Sequence, residues 1–146
     1  MPAITPPEDR QVCDMTFYVR YAETDAMGVV HHAQYLVYCE EARSQFARDT
    51  GASYADFEKE GLYLVVSDVQ LRFLTPAVYG QRIRIQAWIQ EIKSRRIIFA
   101  YRLSNPDTDV THVTGTTWHI CTTHKGKLAR IPEKWINRWQ LAAPPN

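Results

Sequence analysis

Hydrophobic and polar positions along this chain change period twice, from strand-like to helical and back. Residues 12–21 place Phe17 and Val19 on one face and predict a first strand. Residues 21–25 close that strand on two carboxylates, Glu23 and Asp25, and residues 26–31 form a short loop hinged on Gly28, whose missing Cβ admits a positive φ. From His32 onward the spacing turns helical. Ala33, Tyr35, Leu36, Val37, Tyr38 and Cys39 cover nearly every side of the first two turns, so a helix over 33–50, ending at Gly51, is expected to be wrapped on most sides. Glu40 and Arg43 fall on neighbouring turns and are placed to pair. A second, short helix is predicted over 53–60, capped by Ser53 and ended by Gly61.

Beyond Gly61 the period is two. Residues 64–74 set Val65, Val69, Leu71 and Phe73 against Asp68, Gln70 and Arg72, until Thr75-Pro76-Ala77 breaks the ladder. After Gly80, Ile83, Ile85, Ala87 and Ile89 alternate with Arg82, Arg84 and Gln86, and the phase blurs at Trp88. A turn at 93–95 leads into a strand over 97–104, the polar run NPDTD turns the chain, and a threonine-rich strand fills 110–123. Residues 124–127 turn again and 132–139 predict a short final helix. Strand, helix, then a run of long antiparallel strands is an α+β order, in which a strongly curved sheet can bury one central helix. The expected organisation is a flexible N-terminal arm at 1–11, one domain at 12–140 and a C-terminal tail at 141–146, a size that suits a single core.

Composition narrows the partners. A net charge of +1 argues against a nucleic acid held by bulk charge. No apolar run approaches the roughly 18 residues of a membrane span, and MPAITPPEDRQ lacks the basic start and apolar stretch of a secretory signal. Cys13, Cys39 and Cys121 are odd in number and lack CxxC spacing, which fits a reducing cytoplasm. Metal binding finds no support: His112 and His119 lie an odd number apart on one strand, and neither HExxH nor paired-cysteine spacing occurs. The run Gly51-Ala52-Ser53-Tyr54-Ala55 follows a helix and is one residue short of a GxSxG elbow, so Ser53 reads as a cap. Cys39 sits among apolar side chains, where a thiol is inert, and no glycine-rich phosphate loop is present.

One arrangement does carry chemistry. An acid just ahead of a buried helix N-terminus suits acyl transfer, with the carboxylate as base or nucleophile and the free first-turn N–H groups holding an oxyanion. Asp25 stands at that place; on its residues alone it reads first as an Asx-turn or helix-capping aspartate, and Glu23 is the rival acid on the same loop. The stretch YAETDAMGVVHHAQYLVYCEEAR resembles the hotdog-fold thioesterases of the 4-hydroxybenzoyl-CoA thioesterase and YbgC type, with Tyr21, Asp25, Gly28, Val29 or Val30, His32 and Tyr35 at the places of their signature. The likeness runs from about Phe17 to Trp118 and includes FLTPAVYGQRIRI and KSRR.

That resemblance implies a hotdog fold, a curved antiparallel β-sheet around one long central helix, and hydrolysis of an acyl-CoA or aroyl-CoA thioester to the free acid and CoA. It implies Asp25 as general base or nucleophile and the His32 backbone N–H as oxyanion donor, with the His32 ring orienting acid or water. Tyr21 is either a hydrogen-bond partner near the acid or a core residue. Lys93, Ser94, Arg95 and Arg96 fall where related aryl-CoA thioesterases hold CoA phosphates, or else form a solvated turn; Arg72 and Arg130 are further candidates. No metal or cofactor is implied, since CoA belongs to the substrate. A homodimer is the expected minimum and a homotetramer the expected assembly. Alternative readings are a hotdog dehydratase or hydratase, an acyl-carrier-protein thioesterase, or a non-catalytic acyl-thioester binder.

Overall fold

The computed structural model describes residues 4–139; the first three residues of the expected arm, residue 140 and the expected tail at 141–146 lie outside them. In chain order the elements are β1 (Cys13–Tyr18), α1 (His32–Asp49), α2 (Tyr54–Lys59), β2 (Leu62–Phe73), β3 (Arg82–Ile92), β4 (Arg96–Ser104), β5 (Thr111–Thr123) and α3 (Glu133–Trp139). All pairings are antiparallel and the sheet order is β1-β3-β4-β5-β2. Ahead of β1, Arg10 donates to the carbonyls of Ile89 (3.1 Å) and Gln90 (3.3 Å), so this part of the arm lies against β3.

The long helix sits on the sheet through one stripe. Tyr35, Tyr38, Cys39, Ala42 and Phe46 are buried against Ile83, Ile85, Phe99, Tyr101 and Leu103. Phe46 meets Phe99 edge-on at 5.6 Å; full burial of one such side chain contributes roughly 1.5–3 kcal/mol. The helix is therefore not wrapped on most sides within one chain. Val37 is 50% exposed and Glu40 and Glu41 face out, because one sheet covers only one side of a helix. The Glu40–Arg43 pair does not form either: Arg43 turns toward the sheet and donates to Tyr101 Oη at 3.2 Å. Both predicted caps hold. Gly51 has φ +74° just past the end of α1, and Ser53 Oγ accepts from the Asp56 N–H at 3.3 Å.

Three register slips interrupt the ladders, one at His112 in β5 and two that break the predicted alternation of β2 and β3. In β2 the register against β5 slips between Val66 and Asp68, leaving Ser67 unpaired. Val65 consequently faces away from the helix opposite Ile120, while Val69, Leu71 and Phe73 face the helix side opposite Thr117, Gly115 and Val113. The expected common face of Val65 with the other three is thus broken by the extra residue. In β3 the register slips between Ile89 and Glu91, and Trp88 is buried on the face away from the helix, which accounts for the blurred phase there. β2 is an edge strand, and its Val66, Val69 and Phe73 remain about half exposed.

Candidate active site

β1 stops short of the predicted carboxylate pair. After Val19, whose N–H donates to Gln81 O (2.9 Å), the chain makes a 3-10 turn at Tyr21–Glu23. It then folds back on itself: Thr24 pairs with Val30, the Asp25 N–H donates to Val29 O (2.9 Å), and Gly28 closes the tip at φ +77°. Bridges from Val29 to Val78 and from the Val30 N–H to Ala77 O (2.8 Å) fasten this loop to the segment before β3. Asp25 Oδ1 accepts from the Met27 N–H at 2.8 Å, so the Asx-turn is real. Its other oxygen accepts no hydrogen bond among the described residues and is available to a ligand. The half-buried Asp25 lines an open hollow with Tyr21, Thr24, Gly28 and Tyr79. Tyr21 is 78% exposed, with its ring edge-on to Tyr79 at 5.7 Å, so it is not a core residue; it lines the hollow beside Asp25 without a hydrogen bond to it among the described residues.

Glu23 does not share the face of Asp25, because the chain between them is turned rather than extended. It is 5% exposed. Its carboxylate accepts from the Arg20 N–H (2.8 Å) and guanidinium (2.7 and 3.1 Å), from Tyr38 Oη (2.8 Å) and from Gln34 Nε2 (3.2 Å). Burial works to raise its pKa, but the bonds from Arg20 and Tyr38 outweigh that and hold the carboxyl below the usual glutamate range. Glu23 therefore fastens the turn to α1. The available signal was Gln34 and Tyr38, four apart and so on one helix face toward a common acceptor.

A stability prediction follows from this carboxylate. A depressed folded-state pKa stabilises fully above the unfolded value, about 4.3, and that contribution is lost as pH falls through the folded value. Glu23→Gln should lower the unfolding free energy by roughly 2 kcal/mol at pH 7, since charged hydrogen bonds are replaced by weaker ones. The gap to the native protein should narrow below about pH 4. Denaturant titrations across that range check both the size and the direction.

At the helix start the cap is His31, which sequence reasoning missed. Its Nδ1 accepts from the Ala33 N–H at 3.1 Å, and its ring stacks on His32 at 4.2 Å. The His31 N–H donates to Glu23 O at 2.9 Å, tying the first turn to the acid loop. With Ala33 and Gln34 N–H groups engaged, the His32 N–H is left without a partner among the described residues. The exposed His32 ring lies edge-on to Phe73 at 6.5 Å and does not line the hollow of Asp25 and Tyr21.

The basic segment lies elsewhere. Asp25 is fastened at the start of β3, whereas Lys93, Ser94 and Arg95 follow its end, eleven residues or about 33 Å away along the strand. One chain cannot bring the two together. Lys93 and Arg96 both pair with Glu91 (3.2 and 2.8 Å), and Arg96 lies over the Trp118 ring at 4.8 Å. Ser94 and Arg95 use their carbonyls to accept from Ile131 and Cys121, and the exposed Arg95 side chain is unpaired among the described residues.

Other predicted features are simply placed. Cys39 is fully buried and burial pushes its thiol up to about 12, so it is inert core. His112 is the extra residue at the β4–β5 register slip and bonds to Thr75 O (2.8 Å), whereas His119 pairs opposite Ile97 and bonds to Thr117 Oγ1 (2.7 Å). Among the described residues no helix is long and apolar enough to cross a membrane.

Comparison with known proteins places this geometry. The pattern of the thioesterase-like superfamily matches residues 19–140. The 1,4-dihydroxy-2-naphthoyl-CoA hydrolase of Thermosynechococcus vestitus is 31% identical over 129 residues, covering 86% of this chain and 86% of that protein. The crystal structure of the hypothetical protein TT1821 from Thermus thermophilus superposes with a TM-score of 0.81 at 36% identity, over 88% of this chain and 97% of that one. A DHNA-CoA thioesterase from Staphylococcus aureus gives 0.82 at 28% identity, over 88% and 89%. Sheet order, helix placement and these matches agree: the chain belongs to the thioesterase-like superfamily and is a thioesterase of the hotdog fold.

Proposed function

We propose that this thioesterase hydrolyses an acyl-CoA or aroyl-CoA thioester to the free acid and CoA, with Asp25 as the reacting carboxylate. The observation that carries this reading is a carboxylate with one unclaimed oxygen, on a loop fastened to a helix whose His32 N–H is unclaimed too. As a base, Asp25 takes a proton from water while the water oxygen adds to the thioester carbon. The oxyanion then collapses and expels the CoA thiolate, which takes up a proton. As a nucleophile, Asp25 would instead add to the thioester carbon and expel the CoA thiolate, which takes up a proton, leaving a mixed anhydride that water opens to the free acid and Asp25. In either route the carbonyl oxygen develops charge that the His32 N–H and the helix N-terminus can hold. One such donor in other enzymes contributes roughly 3–4 kcal/mol. An aroyl group is supported by the relative that acts on 1,4-dihydroxy-2-naphthoyl-CoA, and Tyr21 and Tyr79 offer exposed rings beside the acid. Mass analysis of benzoyl-CoA and enoyl-CoA digests tests the reaction type: acid plus CoA is expected, and a hydrated acyl-CoA would make the protein a hydratase.

If Arg95 grips a CoA phosphate, it does so in the site of a second copy, because its own Asp25 is too far away. Arg95→Ala should then raise KM for an acyl-CoA and leave kcat nearly unchanged, as remote phosphate contacts differ little between ground and transition states. An unchanged KM would make the turn a solvated edge. Arg96 is a poorer probe, since removing it also disturbs Glu91 and Trp118.

A homodimer is supported by the long β2 edge with its exposed Val66, Val69 and Phe73, an edge that natural proteins cover. Sedimentation at micromolar concentration should show no monomer. A stable monomer would remove the shared-site role of Arg95.

A further inference from the structure

Three turns down α1 from His32, about 16 Å along the axis, a second cavity opens between α1, α2, β2 and β5. Its volume is about 270 Å³, and Arg43, Tyr54, Phe57, Leu64 and His119 line it. One ordered water needs only about 10–15 Å³, so the space suits a small organic molecule. The polar groups facing it are unusual. Arg43 makes no ion pair among the described residues, and its one hydrogen bond goes to Tyr101 Oη. Tyr54 Oη is buried with no partner among the described residues, a condition that costs about 1–3 kcal/mol if nothing satisfies it.

The remaining hydrogens order themselves. Tyr101 accepts from Arg43 and lies 2.6 Å from Thr117 Oγ1, which lies 2.7 Å from His119 Nε2. Only one arrangement uses every hydroxyl hydrogen: Tyr101 donates to Thr117, and Thr117 donates to Nε2. His119 is then the neutral Nδ1–H tautomer. Burial, helped by the nearby Arg43 charge, agrees by pushing its pKa down to about 3. The inner wall of the cavity therefore offers donors from Arg43, Tyr54 and His119, with the Ser44 hydroxyl, which can donate or accept, beside them. Phe57 and Leu64 supply apolar walls, and the exposed carboxylates of Glu40 and Glu58 stand at the rim, where they disfavour a polyanion.

We infer that this cavity binds a small monocarboxylate with an apolar body, its carboxylate on Arg43 and the Tyr54 hydroxyl, at a site separate from the hydrolytic one. Binding does not depend on hydrolysis, so the two readings fail independently. The test is titration of the full-length protein with sodium benzoate, followed by calorimetry and by the His119 ring resonances, with sodium phosphate as the control anion. Saturable binding that moves His119 is expected, weakened at least about 10-fold by Arg43→Gln and about 3- to 10-fold by Tyr54→Phe. Asp25→Asn should leave it intact. Tyr54→Phe removes only an unpartnered hydroxyl, so it keeps the test open if Arg43→Gln fails to fold. Absence of binding at 10 mM benzoate, equal affinity in native and Tyr54→Phe proteins, or phosphate binding as tightly as benzoate would each overturn the inference.

Discussion

Replacing Asp25 with Asn is expected to lower kcat at least about 100-fold, the lower end of what a positioned acid or base supplies, while the protein stays folded. The fold should survive because an asparagine Oδ1 can still accept the Met27 N–H and keep the Asx-turn. What is lost is the basicity and nucleophilicity of the unclaimed oxygen. KM should move little, since the carboxylate acts on water or on the carbonyl rather than on the CoA moiety. Glu23→Gln offers the contrast: its effect should fall on stability, through the contacts to Arg20, Gln34 and Tyr38. A folded Glu23→Gln protein that loses more kcat than Asp25→Asn would make Glu23 the reacting carboxylate instead.

Gly115→Ala is expected to cost several kcal/mol and to reduce folded yield sharply, through steric rather than conformational strain. Gly115 lies mid-β5 between Leu71 of β2 and Tyr101 of β4. A Cβ there would run into the backbone carbonyl of Gln70 and come within 2.6 Å of the Leu71 side chain, and strand backbone cannot swing aside as a side-chain tip can. Because β2 holds the exposed apolar edge, displacing it should also weaken the proposed dimer. Thermal unfolding and sedimentation of the Ala variant check this; a melting temperature within a degree or two of the native protein would contradict the packing described.

The elements that read cleanly from sequence were those set by local period and local chemistry. Ile83, Ile85, Ala87 and Ile89 share one buried face, Ser53 caps α2, and Gly51 and Gly28 take positive φ, each for a reason contained in a few neighbouring residues. What stayed hidden needs contacts across the chain. Ser67 looks like any strand residue until β5 shows that it has no partner. Glu23 reads as a rival to Asp25 until Tyr38 and Gln34 arrive from α1, and Arg43 reads as a partner of Glu40 until Tyr101 draws it inward. At the site, Asp25 and Tyr21 line one hollow, whereas Lys93, Ser94, Arg95 and Arg96 are separated from them by the full length of β3. Strand length and direction, invisible in a motif, decide that separation.

Thiol release from a panel of acyl-CoA, aroyl-CoA and acyl-N-acetylcysteamine thioesters, run side by side for native protein and Asp25→Asn, tests the central claim most directly. The native protein should liberate one thiol per acid formed from at least one CoA thioester, and Asp25→Asn should lose at least about 100-fold of that rate. Thiol release that survives in Asp25→Asn, or a folded native protein that liberates no thiol from any member of the panel, would contradict it.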